Sequence, residues 1–461
     1  MARAKRPLAA KNTEEQRSLL TDINLGDLDE EVKLSGKAAT AKILTRGTYS
    51  ISVRNRRKYW YWQRGALRRF LFCVPVVFLL VLVVFYLPIY TDVQNRRSAL
   101  PDWTYNTSRD IKDYVLPLEQ TALIVPRDFC RAKTFVIIAV CSGLQNFVQR
   151  QTIRETWGNT TEFNYSKFSK LHGHLKGHYL ERIPARLKLY EDHLKSAPVR
   201  VIFIVGRSKY ESLLGNETLE RLHNEAEHYN DIIQENFIDS YNNLTLKSVL
   251  ALKHMSKDCS NSSAFFLKCD DDTFVNVPNL LHFLLGGTLP LYNDTLEYYD
   301  VLTAMVMSPE NRLNATKGIM RGHQFCSARP VSNVTNKWYM PYYMYPKEAY
   351  PKYLSGAGYL MSMDVAQGLY KAALNTTLIY LEDIYITALC AEKARVKRQH
   401  HPLFSYTYPR HLCAFKGAIT QHEVKDDSMM EAWQFVSNYS IKCDPPGRYF
   451  KQMRLRKHIN C

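Results

Sequence analysis

The chain has 461 residues, of which 46% are hydrophobic and 12% aromatic, so most of it can bury the core of one large domain or two ordinary ones. Its formal net charge is +17, but residues 1–69 hold 16 Lys/Arg against 7 Asp/Glu, which gives +9 in this short part alone. The positive charge is therefore concentrated at the N-terminus. This argues against a nucleic-acid-binding protein, which would carry a basic stripe on a folded module.

A membrane anchor is predicted for residues 70–90, because this stretch has no charged residue and 16 of its 21 residues are Leu, Ile, Val or Phe. About 20 apolar residues span the hydrocarbon layer of a bilayer. A buried core helix is the alternative, but it would normally show a polar face. Seven Lys/Arg lie within residues 54–69, so the positive-inside rule places a tail of residues 1–69 in the cytosol and the chain after Tyr90 in the lumen.

Sequons and cysteines agree with this orientation. All eleven N-x-[ST] sequons follow the apolar stretch, and used sequons mark luminal surface sites; they lie at Asn106, Asn159, Asn164, Asn216, Asn243, Asn261, Asn293, Asn314, Asn333, Asn375 and Asn438. Nine of the ten cysteines also follow it, in a compartment where disulfides persist. Because nine is odd, one thiol is expected to be free or intermolecular. The lack of a CxxC pair argues against a structural zinc site.

The luminal part divides into a predicted stem, residues 91–130, and a predicted catalytic domain, residues 131–461. The stem is mostly polar and holds three prolines. From Thr134 onward, apolar β-branched runs alternate with helical patterns. Strands are predicted at 134–142, 199–206, 231–238 and from 264, and helices around 150–157, at 213–229 and at 244–257. This order predicts a mostly parallel sheet covered by helices, with ligands beyond the carboxyl ends of its strands.

Three adjacent carboxylates, Asp270, Asp271 and Asp272, follow the apolar run AFFL and precede Phe274 and Val275. Their charges repel one another, and a hard divalent cation offsets this repulsion because Mg²⁺ and Mn²⁺ favour oxygen ligands. A solvated loop is the alternative. An EF-hand is excluded, because no Gly or distal Glu falls at the required spacing. The cluster therefore indicates a metal–phosphate site.

Six sequence blocks occur in order within roughly residues 131–435: RQTIRETWG (150–158), VIFIVG (201–206), DIIQENFIDSYNNLTLK (231–247), FLKCDDDTFVN (266–276), KWYMPYYMYPKEAYPKYLSGAGYLMS (337–362) and LEDIYIT (381–387). In these blocks the chain resembles the β-1,3-glycosyltransferase family, which includes β-1,3-galactosyltransferases and β-1,3-N-acetylglucosaminyltransferases. The resemblance implies a GT-A type α/β nucleotide-sugar-binding domain, a Mn²⁺-dependent UDP-sugar donor and inversion at the anomeric carbon.

The resemblance also implies roles on the donor side. Asp272 would bind the metal that bridges the two donor phosphates, and Asp270 and Asp271 would meet the ribose and nearby donor groups. His422 would complete the metal site, although a lone His is often structural. The donor pocket would further be lined by Arg150, Arg154 and Lys247. Salt bridging is the alternative for the two arginines, and a structural place within a helix is the alternative for the lysine.

On the acceptor side, Asp383 would be the general base and Glu382 would orient the acceptor; acidic residues also favour a helix N-terminus, and both interpretations can hold together. The stretch Gly356–Ala357–Gly358, after Tyr353, would let the backbone approach the bound sugar, unless it is a tight turn. The family also suggests a disulfide between Cys390 and Cys413.

Two departures from the family pattern stand out. Thr387 occupies the position where the last block usually continues to a Gly, which would alter the acceptor-side turn. Residues 161–198 form a longer insertion than usual, expected to be a solvated loop rather than a metal site despite His172, His174 and His178.

These observations predict a single-pass type II Golgi enzyme, a β-1,3-hexosyltransferase that acts on glycoprotein or glycolipid glycans. Its partners would be a UDP-sugar, a glycan acceptor and the membrane, with no nucleic acid. A catalytically inactive homologue acting as a Golgi chaperone or lectin-like binder is the alternative, and intact Asp272 and Asp383 argue against it. A cell-surface adhesion protein is a third interpretation, which would predict residence in the plasma membrane.

Overall fold

A computed structural model describes residues 69, 71–86, 103–104, 106–159, 170–175, 198–209, 213–287, 289, 292, 313, 315–401, 403–409 and 411–444. The chain divides into two compact units, Met1–Val83 and Val84–Cys461. Residues 71–81 are helical, and a π-helix follows at Leu82–Tyr86. Within the described parts of the chain, no helix has both the length and the apolar character needed to cross a bilayer. The anchor at residues 70–90 stays a prediction.

The described residues of the larger unit contain ten strands: β1 (Ala122–Ile124), β2 (Thr134–Cys141), β3 (Val199–Arg207), β4 (Ile232–Ile238), β5 (Ser263–Asp270), β6 (Phe274–Val275), β7 (Met320–Phe325), β8 (Tyr353–Ser362), β9 (Gln399–His400) and β10 (Thr420–Gln421). Eight of them form one sheet in the order β1-β4-β3-β2-β5-β8-β7-β9, and β10 pairs with β6 in a second, two-stranded sheet. The four central strands β4, β3, β2 and β5 are parallel, whereas β1, β8 and β7 pair antiparallel. The prediction of a mostly parallel α/β sheet is confirmed for this centre.

Helices cover both faces of the sheet: α1 (Lys112–Val115), α2 (Phe147–Glu155), α3 (Leu213–Tyr229), α4 (Leu244–Lys257), α5 (Val277–Leu284), α6 (Met363–Ala373), α7 (Glu382–Ile384), α8 (Ala391–Lys393), α9 (Cys413–Gly417) and α10 (Asp426–Ser437). One core packs α4 and α6 against the sheet, and the other packs α2, α5 and α10 on the opposite face. The central strands have apolar side chains on both faces because both faces are covered. Residues of α4 from Thr245 to Met255 are all buried, so this helix is more enclosed than its amphipathic pattern indicated.

Packing against the sheet begins before residue 131, within the predicted stem. Strand β1 pairs with β4, and Trp103 is buried with its indole Nε1 donating to the Asn242 carbonyl at 2.9 Å. A disulfide then joins Cys130 to Cys259 at the end of α4. The described part of this segment therefore belongs to the folded unit, because its strand and its aromatic side chain find partners there.

The disulfide pattern corrects the one suggested by the family. Cys413 is bonded to Cys443, not to Cys390, which is a buried free thiol within the π-helix Tyr385–Cys390. Burial raises the pKa of the Cys390 thiol to about 12. Cys141 and Cys269 are also free and buried in the central strands, so three of the described cysteines after residue 90 are unpaired where one was expected.

The described part of the insertion at residues 161–198 is not a solvated loop. His172 is fully buried, with its two ring nitrogens 2.6 Å from the Tyr292 hydroxyl and 2.8 Å from Asn279 Oδ1. Burial lowers the pKa of His172 to about 3, so the ring is neutral. His174 stacks on the same tyrosine with ring centroids 6.0 Å apart. These contacts give both residues a packing role, and His178 lies outside the described residues.

The Cys130–Cys259 bond closes a span of 129 residues, and its loss would free that span in the unfolded chain. We expect Cys130→Ser to lower the free energy of unfolding by about 2–4 kcal/mol, measured by urea denaturation. Peptide mapping without reduction should recover the 130–259 and 413–443 pairs from the wild-type protein. A cross-linked peptide that joined Cys390 to Cys413 would contradict the pattern.

Candidate functional site

The three carboxylates occupy the carboxyl edge of the sheet, as the sequence predicted. Strand β5 ends at Asp270, and a short turn leads through Asp271 and Asp272 into β6. Strand β10 pairs with β6, Gln421 opposite Phe274, and the Val424 amide donates to the Asp272 carbonyl at 2.8 Å. This small sheet brings His422, far away in the sequence, beside the acidic turn.

Asp270, Asp272 and His422 form a group that could hold a metal ion, because one ligand atom from each lies within 4.8 Å of the others. His422 Nδ1 lies 3.1 Å from the Tyr406 carbonyl, which can only accept a hydrogen bond. This contact leaves Nε2, 3.2 Å from Asp272 Oδ1, as the nitrogen free to bind a metal. Two carboxylates and an imidazole form a mixed oxygen and nitrogen ligand set that a divalent cation can occupy.

Asp271 faces away from that group and into the loop after β2. Its Oδ2 accepts hydrogen bonds from Ser142 Oγ and Asn146 Nδ2, both at 2.8 Å. Burial raises the pKa of Asp271, although these two donors oppose the shift. Asp271 therefore joins the acidic turn to the loop at residues 142–146 and holds two neighbouring strand ends together.

Arg150 is fully buried and supports the same loop from behind. Its guanidinium donates to the Gly143 carbonyl at 2.7 Å and pairs with Glu225 at 2.7 Å. Lys247 is buried as well, with its ammonium 2.7 Å from Asp239 Oδ1 and bonded to the Ser142 carbonyl. Neither side chain is exposed, so both contribute to the site through the backbone they hold.

Arg154 is not brought to the acidic turn. It pairs with Glu225 at 2.6 Å and with Asp231, just before β4, at 2.8 Å. Strand β4 lies three strand spacings from β5, or about 14 Å. Two carboxylates already neutralise this guanidinium, so the ion-pair interpretation describes it better than a donor-pocket role.

The second acidic pair sits where α7 begins, next to strand β8. Glu382 is buried and accepts a hydrogen bond from the Tyr359 hydroxyl. Asp383 is only partly covered, so its carboxylate is the member of the pair that can meet a substrate. Burial, followed by the charge of Glu382, raises the pKa of Asp383 to about 7. A carboxylate with this pKa is suited to accept a proton near neutral pH.

Lys268 connects the two acidic groups, and the sequence analysis missed it. Its buried ammonium donates to Asp270 Oδ1 at 2.7 Å and to the Gly356 carbonyl at 2.8 Å, and it lies 3.3 Å from Glu382 Oε2. Burial alone lowers the pKa of Lys268, yet the charges of Asp270 and Glu382 hold it well above its ordinary value. The only signal in the sequence was one Lys inside the apolar run of β5.

Of the two glycines of β8, only Gly356 lies against the acidic pair. A Cβ on Gly356 would lie 3.4 Å from the Asp383 Cβ, an ordinary contact, but 3.2 Å from Glu382 Oε2, so a side chain there would crowd Glu382. A Cβ on Gly358 would meet Thr420 at an ordinary 3.5 Å. Gly356 is therefore needed for the close approach of the pair, whereas the structure gives no such reason for Gly358.

Tyr353 begins β8, and its ring packs on Phe325 with centroids 5.2 Å apart. Burial and then the charge of Asp383 raise the pKa of Tyr353, so this carboxylate lies within electrostatic reach of the Tyr353 hydroxyl. Phe325 packs in turn on Tyr406, 5.0 Å between centroids, and the Tyr406 carbonyl contacts His422. An aromatic wall thus runs from the metal group to the acidic pair.

Thr387, which differs from the usual Gly, fixes the position of Asp383. Its hydroxyl donates to the Asp383 carbonyl at 2.6 Å and accepts from the Leu354 amide at 2.7 Å. The residue is fully buried in the π-helix that follows the acidic pair. It therefore ties the turn that carries Asp383 to the start of β8.

Comparisons with known proteins find similarity to sugar transferases. A family model described as Galactosyltransferase matches residues 148–402. Beta-1,3-galactosyltransferase 1 of Homo sapiens is 29% identical over 305 residues, covering 66% of this chain and 74% of the relative. Lactosylceramide 1,3-N-acetyl-beta-D-glucosaminyltransferase of Mus musculus is 28% identical over 394 residues, covering 82% of this chain and 88% of the relative.

The group formed by Asp270, Asp272 and His422, called the metal group here, predicts where a divalent ion binds. We expect Asp272→Asn and His422→Ala to weaken Mn²⁺ binding by roughly 10-fold or more, measured by calorimetric titration, because each removes one ligand atom. Lys425→Gln is the matched control, since Lys425 Nζ lies 3.6 Å from Asp272 and offers no ligand. Equal Mn²⁺ affinity in the wild type and both ligand variants would place the ion elsewhere.

Proposed function

Since the chain belongs to the galactosyltransferase family and resembles its β-1,3-glycosyltransferases, we propose that it is an inverting β-1,3-hexosyltransferase. It moves galactose or an N-acetylhexosamine from a UDP-sugar to a hydroxyl of a glycan acceptor on a glycoprotein or glycolipid. The observation that carries the proposal is that Lys268 joins Asp270, part of a group that could hold a metal, to Glu382, the buried neighbour of a partly covered carboxylate, Asp383, with a raised pKa. Sugar transfer needs a group that holds the diphosphate and a group that acts as a base, and these two parts of the cleft would supply them.

The donor half of the cleft is the edge formed by the ends of β2 and β5. Asp270, Asp272 and His422 would hold Mn²⁺, which acts as a Lewis acid for the charge that develops on a departing diphosphate. The loop at residues 142–146, fixed by Asp271 and from behind by Arg150 and Lys247, would form the floor beneath the nucleotide. Ligands of parallel α/β sheets bind at this edge.

The acceptor would bind at the opening of the cleft around Asp383. Its carboxylate takes the proton of the acceptor hydroxyl while that oxygen bonds to the anomeric carbon, and the bond from this carbon to the UDP oxygen breaks. The UDP leaves with the electron pair. Glu382 is buried, accepts a hydrogen bond from Tyr359 and forms an ion pair with Lys268. In this proposal it therefore positions Asp383 instead of orienting the acceptor.

The proposal includes a membrane anchor at residues 70–90 and a luminal catalytic unit in the Golgi. The charge asymmetry and the sequon distribution support this topology. Among the sequons, Asn333 and Asn375 are exposed, whereas Asn243 is buried and donates to the Ile238 carbonyl at 2.8 Å. A luminal unit would thus carry glycans at exposed sequons and none at Asn243.

A donor screen tests the proposal. The purified protein is incubated with Mn²⁺, a panel of acceptor glycans, and UDP-galactose, UDP-N-acetylglucosamine or UDP-N-acetylgalactosamine, and UDP release is measured. We expect one donor to turn over, with loss of activity in EDTA and recovery with added Mn²⁺. Absence of turnover with every donor, together with no binding of Mn²⁺ or UDP, would refute the enzyme and favour the inactive homologue.

The raised pKa of Asp383 predicts the pH dependence of transfer. The base works only when deprotonated, so kcat/KM should rise as the pH increases through about 7 and level off above it. Asp383→Asn should lose about 10²- to 10⁴-fold in kcat and retain UDP binding. Glu382→Gln is the comparison, because it removes the neighbouring charge and should move the rise to lower pH. A rise at the ordinary pKa of an Asp would contradict the assignment.

A further inference from the structure

Two aromatic side chains near Asp383 remain open to solvent. Tyr241 is 51% exposed and Trp338 is 50% exposed, although residues of this size are usually much more buried. They come from different parts of the sequence, Tyr241 from the 3₁₀ turn Tyr241–Asn243 and Trp338 from the loop before β8. Exposed aromatic surface beside a polar site is a mark of ligand binding.

Both turns are tied to the segment that carries the base. Thr245 Oγ1, at the start of α4, donates to the Tyr380 carbonyl at 2.9 Å, and the Tyr380 hydroxyl donates to the Tyr339 carbonyl. Tyr380 is therefore hydrogen-bonded both to the helix that follows Tyr241 and to Tyr339, the residue after Trp338. It lies three residues before Asp383, so the segments that carry the two exposed rings are tied to the segment that carries Asp383.

The two rings are held on a rigid backbone. The turn that carries Tyr241 is fixed by Asn243, whose side chain donates to the Ile238 carbonyl at 2.8 Å and accepts from Trp103 Nε1 at 3.0 Å. The Trp338 amide donates to Asn336 Oδ1 at 2.8 Å, and the Lys337 ammonium lies 4.6 Å from the indole centroid. Rigid aromatic side chains bind a ligand with little loss of conformational entropy.

Tyr241 connects the exposed pair to the acidic groups of the cleft. Its side chain hydrogen-bonds to Trp338, so the two aromatic side chains are neighbours. Burial, followed by the charges of Asp383 and Asp270, raises the pKa of Tyr241 to about 12, so these two carboxylates lie within electrostatic reach of its hydroxyl. The aromatic pair therefore lies on the side of the cleft that carries Asp383.

We propose that Tyr241 and Trp338 form the platform on which the acceptor's terminal sugar ring packs, with its attacking hydroxyl directed at Asp383. A pyranose presents C–H groups on one face and hydroxyls at its rim, which matches two apolar rings beside carboxylates and a tyrosine hydroxyl. The ligand class is a neutral hexopyranose at the non-reducing end of a glycan. This inference rests on the proposed function and specifies how its acceptor is bound.

The test separates acceptor binding from donor binding. We expect Trp338→Ala and Tyr241→Ala to raise the acceptor KM roughly 10-fold or more, and to change it far more than the KM of the UDP-sugar. Trp338→Phe keeps a ring and should recover part of the affinity. Tyr439→Ala is the matched control, because Tyr439 is 44% exposed, lies two residues after the end of α10 and belongs to neither site. Melting temperatures confirm that the variants are folded.

An unchanged acceptor KM in Trp338→Ala, with the wild type active, would overturn the platform and leave the proposed function intact. If the wild type shows no transfer, the proposed function fails, and the platform is then tested by calorimetric binding of β-galactosides and β-N-acetylhexosaminides. Binding that disappears in Trp338→Ala would support the platform as a sugar site. Absence of sugar binding to the wild type would overturn it and favour a protein partner for these rings.

Discussion

The buried ammonium of Lys268 is the interaction on which the site depends. It lies between Asp270, a member of the metal group, and Glu382, the neighbour of the base. Three charges in a closed interior are costly unless their geometry compensates the loss of hydration. Removal of the cation would leave two carboxylates without compensation and would change the environment of Asp383. The two halves of the cleft therefore share one electrostatic arrangement.

The sheet explains why this arrangement forms from distant parts of the chain. Strand β5 supplies Lys268 and Asp270, and its antiparallel neighbour β8 brings Tyr359 and Gly356 to the same edge. The β6–β10 pair adds His422 from the C-terminal part. These residues lie on or directly beside paired strands, so this part of the candidate site rests on the sheet and not on long loops.

The sequence predicted much of this architecture, because apolar runs and helical periodicity are local signals. The helices at residues 213–229 and 244–257 and the strands around 199–206 and 134–142 agree with the structure. The acidic turn was predicted from its charge density, and its joining with His422 from the family resemblance. The ion pairs of Arg154 could not be predicted from the sequence. An Arg in a motif can pair with carboxylates or bind a nucleotide, and the motif itself does not distinguish the two.

Contacts between distant residues account for the other gaps. Lys268 and Glu382 are 114 positions apart, and nothing in either local pattern indicates that they meet. The partner of Cys413 depends on where residue 443 returns to the fold, which spacing alone does not reveal. The burial of His172 required knowledge of Tyr292 and Asn279. In each case the missing information was tertiary packing.

The hydroxyl of Thr387 has a consequence for how such a cleft diversifies. It joins the Asp383 carbonyl to the Leu354 amide through two short bonds that involve neither the metal group nor Lys268. A β-branched side chain has few rotamers, so the direction of this bond follows from the backbone itself. The position of Asp383 thus has a support that is independent of the acidic turn. Under the proposed function, substitutions in the donor half of the cleft would leave these two hydrogen bonds in place, so the choice of sugar would be separable from the removal of the acceptor proton.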